Sequence, residues 1–178
     1  MTLFLILLAL AGDPADCPMH AQHMAAAAQA KTTEADAAEH AGHSAHGVDR
    51  RGDHVMGFSH EKTTHSFRLF ADGGAIEVRA NDAADAESVS AIRGHLQEIA
   101  KEFAAGTFSK PEEIHARTPD GVVMMKELGA TIAYEYEELE RGARVRVKTR
   151  DARGIDAVHQ FLRFQISDHR TGDSGKVE

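Results

Sequence analysis

The stretch "HSFRLFADGGAIEVRA" (His65 to Ala80) alternates apolar and polar residues on both sides of Asp72-Gly73-Gly74. Successive side chains of a strand point to opposite faces, so Phe67, Leu69 and Ala71 share one face. Ile76, Val78 and Ala80 continue that face after the turn, which predicts a β-hairpin. The pattern returns downstream. "ATIAYEYEEL" and "ARVRVKTR" flank Arg141-Gly142, setting Ile132, Tyr134 and Tyr136 opposite Val145 and Val147. Two hairpins, each apolar on one face only, must bury those faces against other elements.

The segments after each hairpin supply the cover. "NDAADAESVSAIRGHLQEIAKEFAAG" opens with acidic residues and closes on Gly106. Its Val89, Ile92, Leu96, Ile99 and Phe103 recur at three- and four-residue spacing, the stripe of an amphipathic helix. "DARGIDAVHQFLRFQISDHRTGD" repeats the design, with Asp151 as cap, Ile155, Val158, Leu162 and Ile166 inward, and Gly172 as stop. Between the hairpins, "FSKPEEIHARTPDGVVMMKELG" is a connector interrupted by Pro111 and Pro119, with two short helical turns expected. The order is ββαββα. The simplest closure is a two-layer α+β sandwich, a four-stranded antiparallel sheet with both helices on one face. The halves share this rhythm without sequence similarity, so no internal repeat is expected.

Arg144, Arg146, Lys148 and Arg150 fall on the outward face of the last strand. Glu135 and Glu137 alternate outward on its partner, and Glu77 stands beside Arg79 on the first hairpin. Cross-strand ion pairs on a solvated face account for the stripe. With a net charge of -8 over 178 residues, the chain carries no basic field to attract nucleic acid or an anionic membrane, and neither is an expected partner.

The amino-terminal third reads differently. "LFLILLALA" (Leu3 to Ala11) is an apolar run too short for the roughly 20 residues of a membrane span. It fits the core of a secretory signal, with Ala9-Leu10-Ala11 as a small-x-small cleavage pattern, and no stable membrane anchor is expected. Residues 12–57 contain no aromatic residue and are rich in Ala, His, Asp and Gly, which predicts a disordered tail. The expected organisation is a signal peptide over residues 1–11, a histidine-rich tail over 12–57, the α+β domain over 58–173 and a disordered end over 174–178. The location that follows is periplasmic or secreted. A single cysteine, Cys17, forms no internal disulfide.

Histidine is the residue in excess, 12 in this chain, about three times the usual share. Six lie in the tail, five of them in two clusters: His20 and His23 within "CPMHAQHM", beside Cys17 and Met19, and His40, His43 and His46 within "AEHAGHSAHG". Thiol, thioether and imidazole are the ligands that copper and zinc prefer. "CPMH" is similar to the heavy-metal-binding motif of copper-transporting ATPases and copper-efflux proteins. In that family an aromatic precedes the cysteine and a proline follows the histidine; Asp16 and Ala21 stand there in this chain. In the domain, His95 and His159 sit at the edges of the two helical stripes and are placed to approach each other across the seam. His65 enters the first strand, His115 lies in the connector near Met124 and Met125, and His169 sits in the final helical turn as a candidate C-terminal cation. A site among His65, His95, His115, His159 and Met125 suits copper or zinc. Non-covalent haem between His and Met stays open, and each histidine alone also reads as a hydrogen-bonded boundary residue.

No phosphate loop, nucleophile elbow or zinc-protease helix is present, and "RGD" (Arg51 to Asp53) is a coincidence of three letters. The expectation is a non-enzymatic metal-binding protein, a buffer or carrier of copper or zinc. The alternative is a ligand- or protein-binding module of the cell envelope with structural histidines, its protein partner unspecified.

The stretches "MGFSHEKTTHSFRLFADGGAIEVRANDAAD", "IRGHLQEIAKEFAAGTF" and "AVHQFLRFQISDHRTGD" resemble an uncharacterised family of small exported bacterial proteins, over about residues 56 to 173. Some of its members carry the label aspartate carbamoyltransferase. That enzyme has two α/β domains and a Ser-x-Arg-Thr-Arg phosphate loop at a helix start. Here "KTR" (Lys148 to Arg150) ends a strand and the chain is far shorter. The resemblance implies a single exported domain and no mechanism.

Overall fold

The computed structural model describes residues 47–178. The apolar run Leu3 to Ala11 and the tail residues Cys17, Met19, His20, His23, His40, His43 and His46 lie outside the described residues. Two hairpins form as the alternation requires: β1 (Thr63–Phe70) with β2 (Gly73–Ala80), and β3 (Ile132–Leu139) with β4 (Gly142–Thr149). Two-residue turns, Ala71-Asp72 and Glu140-Arg141, join their strands. β2 also pairs antiparallel with β4, giving one sheet in the order β1-β2-β4-β3.

Register aligns the apolar faces across all four strands. Phe67 stands opposite Ile76, Ile76 opposite Val145, and Val145 opposite Tyr136. The opposite face carries the expected ion pairs. Arg144 meets Glu137 at 2.5 Å, Lys148 meets Glu135 at 2.6 Å, and Arg79 meets Glu77 at 2.5 Å. Arg146 binds Asp72 at 2.5 Å and lies 4.2 Å from the centre of the Phe70 ring. The cationic stripe is therefore matched by anions and an aromatic face.

Two long helices cover the apolar face. α2 (Ala86–Ala104) begins at Asp85, whose carboxylate accepts from the Ser88 amide, and buries Ile92, Leu96, Ile99 and Phe103. α5 (Ala152–His169) begins at Asp151, which accepts from the amides of Arg153 and Gly154. It ends at Arg170, in the left-handed conformation at φ 53°, before Gly172 is reached. Each helix crosses to the hairpin it does not follow. α2 packs on β4 and β3, whereas α5 packs on β2 and β1. This exchange binds the two ββα halves into one core. The connector forms the two short helices expected, α3 (Ser109–His115) and α4 (Val122–Leu128).

The structure corrects the expected boundaries at both ends. Residues 44–178 make up one unit, so the fold starts before residue 58. A helix over residues 47–56, α1, takes the place of the expected disordered tail there. Its Val48, Gly52 and Met56 are all buried, a four-residue spacing that presents one face to the core. Arg51 Nε then donates to the Ile114 carbonyl at 2.7 Å and ties α1 to α3. At the other end, residues expected to be disordered run along β1. Asp173 accepts from the Phe67 amide at 2.8 Å, Val177 bridges Leu69, and Glu178 pairs with Arg68. An edge strand offers unpaired backbone groups, and the C-terminal segment satisfies them. Among the described residues no helix is long and apolar enough to cross a membrane.

Candidate functional site

The swapped packing leaves a space where α2 and α5 part above β1 and β2. His65 is the second inward-facing residue of β1, between Thr63 and Phe67 in the strand alternation. His95 stands three residues after Ile92 and one before Leu96, at the edge of the α2 stripe. His169 is the last residue of α5, seven after Leu162 and four after Gln165, so it continues the buried stripe of that helix. His115 ends α3. These four, with Met56, Phe67, Ile76, Val78 and Gln165, line a cavity of about 60 Å³ measured at the centres of water-sized molecules. That is room for a few waters or an ion. A second cleft of about 220 Å³ adjoins it, bordered by Asp49, His60, Thr63, Thr64 and Thr171. Met56, His65 and His169 belong to both walls, so they stand where the cleft meets the cavity.

The rings are closely grouped. His65 and His169 are stacked with centres 5.6 Å apart and planes 3° from parallel. His115 meets His169 edge-on at 5.0 Å. Phe58 contacts His65 at 6.1 Å and His95 at 5.7 Å. Burial among these apolar neighbours pushes His65 and His95 down to about 4 and His169 down to about 3. Nearby cations act in the same direction: His60 on His65, Lys110 on His95, and His65 and His115 on His169. All three rings are therefore neutral at pH 7. None of them makes a hydrogen bond among the described residues.

The remaining histidines are used differently. His115 Nδ1 bonds the Asp168 carboxylate and its Nε2 bonds Gln165 Oε1 at 3.0 Å. The Gln165 amide nitrogen is buried without a partner. His60 is exposed and pairs with Asp53 at 3.0 Å, a hydrogen bond that raises its pKa.

Of the expected domain site, the fold brings His65, His95 and His115 together and sends His159 and Met125 elsewhere. His159 Nε2–H donates to the carbonyls of Phe70 and Gly73 at 2.9 and 3.0 Å. It locks α5 to the first hairpin turn, at the far end of β1 from His65. The expected approach of His159 to His95 fails because the two helices cover different strand pairs and the residues stand at opposite ends of the sheet. Met125 is 1% exposed inside α4, in the general core. His169 and Met56 join the site instead. The seven-residue step from Leu162 marks His169 as inward, and the step of four from Gly52 does the same for Met56.

Chemically, the cavity offers imidazole nitrogens with free lone pairs and one thioether. Its wall contains no carboxylate, and its one cation, Lys110, is paired with Glu102 and, at 3.3 Å, with Glu98. Among the described residues, no three or more His, Cys, Asp or Glu side chains are grouped so as to hold a metal ion. No family model, curated protein or solved structure matches the chain.

Proposed function

We propose that the protein is an exported, non-enzymatic metal-binding protein, a periplasmic or secreted buffer or carrier of copper or zinc. The histidine cavity is its holding site, and the donors between Cys17 and His46 are a looser collector. One observation carries this reading: His65, His95 and His169 are neutral, face one cavity and lack hydrogen-bond partners among the described residues. The same molecule displays what its structural histidines look like, since His115 and His159 are both hydrogen-bonded. Three unbonded imidazoles around one space are better explained by a ligand that accepts their lone pairs. The size of the cavity favours an ion, since organic ligands and haem occupy pockets of roughly 300 Å³ or more.

The test is a titration of the full chain with its tail donors removed (Cys17→Ser, Met19→Leu, Met24→Leu, and Asn at His20, His23, His40, His43 and His46). This variant is expected to bind about one equivalent of copper or zinc, as a single internal site requires. Adding His65→Phe and His169→Phe abolishes that equivalent. A tail-depleted chain that binds no metal overturns the reading.

A further inference from the structure

We infer that the ion held is cuprous copper, bound by Met56, His65 and His169 where the cleft and the cavity meet. This rests on the metal-binding reading above and names its cargo.

Position comes first. Among the wall residues, Met56, His65 and His169 alone line both spaces, so they stand at the junction of the two. His95 lines only the inner cavity. His115 has both ring nitrogens engaged, by Asp168 and Gln165. Two imidazoles and a thioether remain as free donors at the junction.

Spacing comes second. With metal–nitrogen bonds of about 2.0 Å and roughly 1.1 Å from nitrogen to ring centre, imidazoles at about 120° around one ion have centres about 5.5 Å apart. The centres of His65 and His169 stand 5.6 Å apart. Their parallel planes do not converge on a point, so binding requires the rings to turn about their own axes and not to travel. Neither ring has a hydrogen bond to break, and Phe67 flanks both, at 6.4 Å from His65 and 5.8 Å from His169.

Charge and coordination decide the metal. Zinc is held by three protein donors and a water as readily as by four protein donors, so donor type and not donor number separates the metals here. A divalent ion also brings two charges beside a cavity wall that holds no carboxylate, with Asp49 the one carboxylate lining the adjoining cleft. Buried charge without a counterion is strongly disfavoured, and the penalty rises steeply with charge. A monovalent ion halves the charge to be buried. Thioether sulfur is a soft donor that selects cuprous copper over zinc. Donor type and charge point to the same ion.

The experiment uses the full chain with the tail donors replaced as above. Affinities are measured by anaerobic competition with a chromogenic Cu(I) chelator, and separately by competition for Zn(II) and Cu(II). Cu(I) is expected to bind at least about 100-fold tighter than either divalent ion. Met56→Leu, which keeps the side-chain volume, is expected to weaken Cu(I) at least about tenfold and leave Zn(II) unchanged. X-ray absorption of the Cu(I)-loaded chain is expected to show sulfur as well as nitrogen in the coordination shell, a readout independent of variant stability. Zn(II) or Cu(II) binding as tight as Cu(I), no effect of Met56→Leu, or a sulfur-free shell overturns the inference and leaves the metal-binding reading intact. Failure to bind any ion defeats both.

Discussion

A histidine near an apolar stripe is ambiguous until its neighbours are known. His95 and His159 occupy equivalent positions on their helices, yet His159 donates to the Phe70 and Gly73 carbonyls and His95 bonds nothing. The difference comes from what lies opposite: a hairpin turn with free carbonyls in one case, the Phe58 ring in the other. His159→Phe should therefore destabilise the fold by about 1–3 kcal/mol, the cost of lost hydrogen bonds at a buried site. It should leave copper affinity unchanged, because His159 stands outside the cavity wall. Urea denaturation and a metal titration on the same preparation check both halves. The helical step that puts His169 on the stripe of Leu162 was present in the sequence. Its position at the helix C-terminus offered an equally good electrostatic role there, and only contact with His65 distinguishes the two.

At the scale of elements, alternation and helical spacing carried nearly all of the architecture. Both hairpins, both long helices and the capping aspartates Asp85 and Asp151 follow from local pattern. The N-terminal helix escaped because its stripe, Val48-Gly52-Met56, contains one glycine and lies beside an alanine- and histidine-rich run. The C-terminal segment escaped because it has no pattern of its own; it is ordered by the unpaired edge of β1. Glycines separate the two levels well. A Cβ on Gly142 would stand 2.0 Å from the Val78 carbonyl oxygen, where β4 joins β2. Gly142→Ala should cost at least about 3 kcal/mol, since backbone cannot retreat inside a sheet. Gly94, in the interior of α2, meets nothing within 4 Å, and Gly94→Ala should stabilise by about 0.5–1 kcal/mol. Thermal melts of the two variants should move in opposite directions.

At the scale of the molecule, the cavity makes the fold acid-sensitive. The neutral forms of His65, His95 and His169 are held to about 4, 4 and 3, against about 6.5 in an unfolded chain. The unfolded state therefore binds more protons between these limits, and stability falls as pH falls. The full contribution is present above about pH 6.5 and is lost as the pH drops toward 4. Linkage gives about 2 kcal/mol per histidine by pH 5, a large share of an ordinary stability of about 5–15 kcal/mol. The metal-free protein should lose urea resistance steeply between pH 6.5 and 4.5. His169→Phe should flatten that dependence, and an unchanged slope would mean that His169 titrates normally.

The sequence by itself determined the elements, their order and the two-layer α+β class, because period-two and period-3.6 patterns are local properties of the chain. It also disclosed an excess of histidine with copper- and zinc-type donors. Tertiary structure alone decided which histidines meet. α2 and α5 exchange hairpins, and that places the last turn of α5 over His65 near the start of β1. Imidazoles 104 positions apart, at 65 and 169, thus come to stack, while His159, ten residues from His169, faces a different end of the sheet. No local pattern encodes a contact of that range, since it depends on which strands each helix covers.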